Sequence, residues 1–301
     1  MSCKNDQNDY EKMKGINYFS RTDAFSTEQI SFDNSTGVLS DTLKKGAVLS
    51  IDPNTFQNAD GSVYSGKVVL VVKENYARGL MALNSAPTIS DLNPLYTEGE
   101  IYSRAVDLVG NELIIVPGKH LTISIPGSTV ASNYTMFYAE DKVKDPSPAN
   151  TALFNWKEAS TDIVESTLNT ANARYYYKLI PTQLGWISCS RVIANSSPVG
   201  IRIRIKGVYP IFASNTAVYL IPKNSKSVYR LWNYDSNRNI FSMDSPYLNI
   251  GDQAYIVSIS SIKHNKIFYA RELVTISAYN AFEIEASLAT TSNIIADLSV
   301  L

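Results

Sequence analysis

Apolar and polar residues alternate along much of this chain with the period of two that a half-buried strand requires. Leu121, Ile123 and Ile125 alternate with Thr122 and Ser124, and Ile201, Ile203 and Ile205 with Arg202, Arg204 and Lys206. The run Val68-Val69-Leu70-Val71-Val72 is apolar at every position and predicts a strand buried on both faces. Between such runs stand Asp52-Pro53-Asn54, Asn58-Ala59-Asp60-Gly61, Val109-Gly110-Asn111 and Pro126-Gly127. Proline cannot donate to a ladder, and Gly and Asn tolerate tight turns, so these sites end strands. Residues 98–106 and 112–116 flank the 109–111 turn as a hairpin, and 66–126 reads as strand, hairpin and strand. Further strands are predicted at 134–138, 175–180 and 185–189. Helical signals are scarce. There is room for one short piece near 76–83, 162–173 is either a short helix or a loop, and 291–301 predicts a terminal helix capped by Ser292.

This rhythm predicts an all-β protein of two β-sandwich domains in tandem, of Ig-like or ankyrin type. At 301 residues the chain is long for one sandwich. Residues 1–25 are polar and without strand periodicity, and they read as a flexible tether. Residues 26–195 make the first sandwich, and Asn195-Ser196-Ser197-Pro198 marks the boundary. Residues 196–301 make the second, where turn signals recur about every ten residues, enough for roughly seven strands.

Composition narrows the function classes. Charged residues make up 18% of the chain, below the usual quarter, while tyrosines number 19. The net charge of −1 leaves no electrostatic footprint for phosphate backbones, so nucleic acid is not an expected partner. Two cysteines, Cys3 and Cys189, cannot build a disulfide framework or a zinc site. Two histidines, His120 and His264, leave little material for a triad, a His-rich metal centre or a His general base. No cofactor or metal is expected, and no apolar run approaches the ~18 residues of a membrane span.

The start is unusual. Met1-Ser2-Cys3-Lys4-Asn5-Asp6-Gln7-Asn8-Asp9 places a cysteine directly before a polar, charged tail. Lipoproteins look like this once the signal peptide is removed and the cysteine is acylated. The alternative is an ordinary terminus with a chance cysteine.

The order of several motifs carries a resemblance. Gly37-Val38-Leu39 is followed by Gly46 and a strand to Asp52-Pro53, then Phe56, Asp60-Gly61, and Gly66-Lys67 with its Val-rich strand and Glu74. Glu98-Gly99, Gly110-Asn111-Glu112-Leu113, Pro117-Gly118-Lys119 and Ile125-Pro126 come next. Over about residues 35–192 this resembles the ankyrin-type sandwich of ankyrins and netrin receptors, in the version carried by Gram-negative, Bacteroidetes-type surface lipoproteins. Leu184-Gly185-Trp186-Ile187-Ser188-Cys189 resembles its closing strand, whose usual form is Gly-Trp-Ile-Asn-Cys-Asp; here Ser188 and Ser190 replace the Asn and Asp. Residues 199–301 resemble the transthyretin-like or carboxypeptidase-regulatory sandwich that often follows. The resemblance implies a non-catalytic protein tethered at the outer membrane through a lipid on Cys3, with an envelope protein or a glycan as partner.

Each candidate site competes with a plainer explanation. His120-Leu121-Thr122 matches a self-cleavage triplet, in which a hydroxyl attacks the preceding carbonyl, but it also simply opens a strand. Asp52, Asn54, Asn58 and Asp60 carry oxygens for calcium, yet lack the sixth-position glycine and closing Glu of a calcium loop. Asp235, Asn237 and Asn239 read the same way, as turn chemistry. Cys189 follows an apolar Trp-Ile pair and reads as a buried, inert thiol. Glu98, Glu100 and Asp107 have the residue type for a glycosidase pair, with surface turns as the plainer account. Tyr175, Tyr177, Tyr229, Trp232 and Tyr234 are candidates for stacking on sugar rings, against packing within the fold. The leading expectation is a structural or interaction module at the cell surface, and the alternative is a carbohydrate-binding lipoprotein using exposed aromatics.

Overall fold

The structure is a computed structural model, which describes residues 27–84, 86–91, 93–127, 133–139, 155–159, 165–169, 174–193, 199–244, 248–262 and 266–301. The first half runs through β1 (Thr27–Asp33), β2 (Val38–Thr42), β3 (Val48–Ile51), β4 (Phe56–Asn58), β5 (Lys67–Asn75), α1 (Arg78–Leu83), β6 (Ile89–Ser90) and β7 (Asn93–Val106). It continues with β8 (Glu112–Ile115), β9 (Leu121–Gly127), β10 (Thr135–Ala139), β11 (Trp156–Glu158), β12 (Glu165–Asn169), β13 (Arg174–Leu179) and β14 (Gly185–Val192). The second half holds β15 (Ile201–Lys206), β16 (Thr216–Pro222), β17 (Tyr229–Leu231), β18 (Asn233–Asp235) and β19 (Ile240–Met243). It ends with β20 (Gln253–Ile262), β21 (Lys266–Thr275), β22 (Asn280–Glu285), β23 (Ser287–Ala289) and α2 (Thr291–Leu298).

The protein is all-β, built as β-sandwiches. In the first pair of sheets, one sheet has the order β1-β5-β7-β14-β10-β11, with β8 joined to β7 and β4 to β8. It faces the sheet β12-β13-β9-β3-β2 across a core that includes Leu49, Phe56, Leu70, Ile101, Ile123, Tyr177 and Ile187. In the second pair, β18-β19-β15-β22 faces β17-β16-β20-β21-β23 across Ile203, Leu220, Phe241, Ile256 and Ile284. Pairings are antiparallel except β15 with β22.

Alternation decides which faces are buried. On β9, Leu121, Ile123 and Ile125 are fully buried while Thr122 and Ser124 are half-buried. On β15 the three isoleucines face inward, and Arg202 and Lys206 face solvent. The prediction for 68–72 needs correction. Val68, Leu70 and Val72 are buried, but Val69 and Val71 are half-buried, because that part of the outer face has only a partial cover. The strand buried on both faces is instead β16, whose residues are all buried. Val218 and Leu220 enter the sandwich core, while Ala217, Tyr219 and Ile221 form a second cluster beneath α1 and α2.

Two local predictions change as well. Within 162–173 the structure places strand β12, paired with β13, rather than a short helix or a loop. The terminal helix is capped by Thr290, whose hydroxyl accepts the Asn293 N–H at 3.2 Å, two residues earlier than the predicted Ser292. The short helix near 76–83 is present as α1.

Candidate functional site

Hydrogen bonds between residues more than a hundred positions apart gather where the two sheet pairs meet. This seam is assembled from α1, the segment 86–91 and the middle of β7 on one side. Residues 222–228 and α2 supply the other side. Met81, Ala82 and Leu83 of α1 pack with Ile294 and Leu298 of α2 onto Tyr219, Ile221, Val257 and Ile259. The helices touch closely because position 79 is glycine. A Cβ on Gly79 would overlap the Leu298 carbonyl. Ile89 reaches further, into the core of the second pair.

Polar groups stitch the rest of the seam. The Arg78 guanidinium donates to the carbonyls of Leu301 (3.1 Å), Lys223 (3.2 Å) and Ser225 (2.8 Å), and to that of Pro222. A planar fork with five N–H donors suits such a set of carbonyls. The Thr88 N–H donates to the Val228 carbonyl, and the Val228 N–H returns a bond to the Thr88 hydroxyl, both at 2.8 Å. The Ser227 hydroxyl donates to the Leu95 carbonyl at 2.8 Å, and the Thr97 N–H to the Lys226 carbonyl at 3.2 Å. The indole N–H of Trp156 holds the segment from behind, donating to the Pro87 carbonyl at 3.0 Å.

Two buried carboxylates stand on β7 at and beside this seam. Glu98 is buried, pairs with the Lys226 ammonium and accepts the Tyr134 hydroxyl at 2.8 Å. Arg191 lies 4.9 Å over the Tyr96 ring beside them. Burial, followed by the bond to Glu98, pushes the Tyr134 phenol far above its ordinary range. Glu100 stands in register with Asn75 on β5 and Ser188 on β14, so the three share one face. Its Oε2 accepts the Asn75 amide N–H at 2.9 Å, while Glu100 Oε1 and Asn75 Oδ1 have no partner among the described residues. Burial raises the Glu100 carboxyl well above the usual carboxylate range, against the smaller opposing effect of the Asn75 bond. Ser188 and Ser190 continue the polar strip as a chain of hydroxyls 2.5 Å apart, linked to Thr97 at 3.0 Å.

The chemistry here is that of a clamp. Glu98 is neutralised by its partners. Burial, aided by the Glu98 charge, pushes the Cys189 thiol well above its ordinary value, which disfavours the thiolate a nucleophile needs. Glu98 and Glu100 are buried rather than in surface turns, and Asp107 sits at the opposite end of β7. There its carboxylate accepts the N–H groups of Val109 and Asn111 at 2.9 and 2.8 Å.

The other sequence candidates fall as follows. Tyr177 is 0% exposed, packed over Gly127 and 5.0 Å from Tyr134, and Tyr229 is 1% exposed in the second core. Both are corrections, because a ring inside the core has no face to offer a sugar. Tyr175, Trp232 and Tyr234 are half-buried and belong to different sheet pairs, so they do not form one strip. His120-Leu121-Thr122 opens β9, where Leu121 donates to the Pro181 carbonyl at 3.0 Å and Thr122 pairs with Ser50. Asp60 accepts the Ser62 N–H and hydroxyl, and Asn58 donates to Ser62, as turn residues do. Among the described residues no group of three or more His, Cys, Asp or Glu is placed to hold a metal ion. Cys3, His264, the tether 1–25 and the boundary residues 195–198 lie outside the described residues.

Sequence reasoning missed Arg78, Thr88 and Lys226, whose partners lie more than a hundred residues away in the chain. A usable signal did exist for Glu98 and Glu100, since both interrupt a strand otherwise bounded by Leu95 and Ile101. No protein-family model matches the chain, and no curated protein is significantly similar to it.

Proposed function

We propose that the protein is a non-enzymatic surface lipoprotein, held at the outer membrane through an acyl chain on Cys3. Its two sandwiches act as one stiff structural or interaction module that meets an envelope protein or glycan. The observation that carries this reading is the seam. An apolar cluster, a four-carbonyl arginine clamp and a buried Glu98–Lys226 pair join the sheet pairs where a flexible linker would leave them independent. The buried thiol and the neutralised carboxylate favour support over turnover. The Cys3-polar start and the Tyr-rich, weakly charged composition favour an extracellular position.

The test is metabolic labelling of the natural full-length protein with a fatty acid, beside Cys3→Ala. Label in the wild type alone, with the protein in the outer-membrane fraction, is the expected result. Absence of label from both versions would remove the tether and with it the localisation.

A further inference from the structure

A buried row of side chains crosses the first sheet beside the seam, and one place in it is chemically incomplete. Phe137 on β10, Ser188 on β14, Glu100 on β7 and Asn75 on β5 are cross-strand partners in turn. Glu100 and Asn75 are both 0% exposed. The Asn75 amide N–H donates to Glu100 Oε2 at 2.9 Å. That leaves one acceptor oxygen on each side chain, Glu100 Oε1 and Asn75 Oδ1, without a donor among the described residues. Two orphaned acceptors on a pair already joined by one bond lack a single proton. We propose that Glu100 is a proton-operated latch: a proton on Oε1, donated to Asn75 Oδ1, closes a paired acid–amide contact that pins the root of α1 to the sheet.

Among the described residues, the charged and polar groups around Glu100 are engaged elsewhere. On β5, Lys73 shares the face, and its ammonium reaches Asn84 Oδ1 at 3.4 Å. On β7, Glu98 turns to Lys226, Arg104 pairs with Glu112, and the Tyr102 ring lies 5.4 Å from that of Trp186 on β14. The Ser188 hydroxyl is shared with Thr97 and Ser190, and β10 presents only the Phe137 ring to this row. Arg78 on α1 is held by its carbonyls. What acts on the Glu100 carboxyl is therefore burial, opposed by the weaker pull of the Asn75 bond, and the balance favours keeping the proton.

The latch sits where it can move the seam. Asn75 ends β5, and after Tyr76 and Ala77 the chain enters α1. This helix has six residues and no side-chain cap, and its first turn rests on the Ala77 carbonyl, which accepts the Leu80 and Met81 N–H groups at 3.0 and 3.1 Å. So short a helix has no stability of its own, and its place depends on its ties. Asn84, just past its end, is tied back to Lys73 on the same face of β5. When Glu100 ionises, its proton passes to solvent, Asn75 Oδ1 loses its donor, and a buried carboxylate keeps one amide N–H. Hydrating that charge is then favoured. Freeing the Asn75 end of β5 achieves it, and the same movement draws α1 and the Arg78 clamp out of the seam. The latch is shut at low pH and released as pH rises through the folded-state value of Glu100. It acts on the joint between the sandwiches and is indifferent to acylation of Cys3.

The test is hydrogen–deuterium exchange of the intact protein between about pH 5 and pH 8, read by mass spectrometry on peptides covering 76–84 and divided by the intrinsic rate at each pH. In the wild type, protection there should fall by up to about tenfold per pH unit between the ordinary carboxylate value and the folded-state value of Glu100, because the opening releases one proton. Glu100→Gln supplies the donor permanently, since its amide can donate to Asn75 Oδ1 and accept the Asn75 N–H, so its protection should stay constant. Asn75→Ala removes the other half of the latch and should lower protection about tenfold already near pH ~5, the fold-change of one or two net hydrogen bonds. Carbon-13 NMR of protein labelled at its glutamate carboxyls should show the resonance missing from Glu100→Gln still at its protonated position near pH ~6. A Glu100 carboxyl that ionises together with the exposed glutamates, a flat wild-type protection profile, or the same pH-dependent profile in Glu100→Gln would each overturn the proposal.

Discussion

The seam is made from two sheets that solve the same problem in opposite ways. Strand β16 lies inside its sheet and is buried on both faces. Its outer residues are Ala217, Tyr219 and Ile221, covered by the apolar sides of α1 and α2. Strand β7 also lies inside its sheet, but where it meets the seam it buries Thr97 and Glu98 against Lys226, with Leu95 held by Ser227, and it buries Glu100 two residues further on. An apolar contact loses stability by degrees as area is removed. A buried charge or acid responds to one missing partner or one proton. The apolar half therefore gives the seam its strength, and the polar half gives it its register and a sensitivity to pH.

The largest effect should come from the apolar half. Leu298 is fully buried between α1 and sheet residues, so Leu298→Ala should lower unfolding stability by about 3–4 kcal/mol in urea titrations. A loss under about 1 kcal/mol would mean that the helices do not cover β16.

Lys226→Met should come next, at about 2–3 kcal/mol. It strands the Glu98 carboxylate, and the loss stays below that of a wholly buried pair because the Lys226 side chain is 35% exposed. Adding Glu98→Gln should restore most of the stability in a double-mutant cycle, whereas simple additivity would contradict the pair. Gly79→Ala should cost about 2 kcal/mol, because the new methyl group meets the Leu298 carbonyl and forces the helices apart.

The smallest effect near pH 4, and the most informative about the polar half, is that of Glu100→Gln. The folded-state pKa of Glu100 is raised, so the folded protein keeps a proton that the unfolded chain releases near pH ~4.3. The contribution of Glu100 is thus fully present below that pH and is lost as pH rises toward the folded value. Wild-type stability should fall relative to Glu100→Gln by up to about 1.4 kcal/mol per pH unit within that window. The two proteins should be nearly equal near pH ~4, where both side chains are neutral. Parallel pH profiles from thermal melts would show that Glu100 ionises freely.

Much of the sandwich architecture was legible in the sequence, because period-two alternation is a local signal. The isoleucines of β9 and β15 reveal their inward faces without help from the rest of the chain. The partial cover over β5 was not legible, since five consecutive apolar residues look the same whether one or two layers cover them. The tyrosines failed for a related reason. Alternation shows that Tyr175 and Tyr177 share a face, but not that the face is the core. The seam was invisible because Arg78, Thr88 and Glu98 find partners at 222–228, and spacing along the chain carries no trace of that pairing.

The most direct test of the seam measures the distance between the two far ends. Paired nitroxide labels at Val109→Cys and Ser214→Cys, in a Cys3→Ser background, report it by electron double resonance. Cys189 is buried and its thiol is pushed well above the ordinary range, so it should stay unlabelled. A single narrow distance distribution, broadened when Arg78→Ala is added, is the result this account predicts. A broad distribution with the seam intact would mean that the two sandwiches move independently, and it would contradict the account.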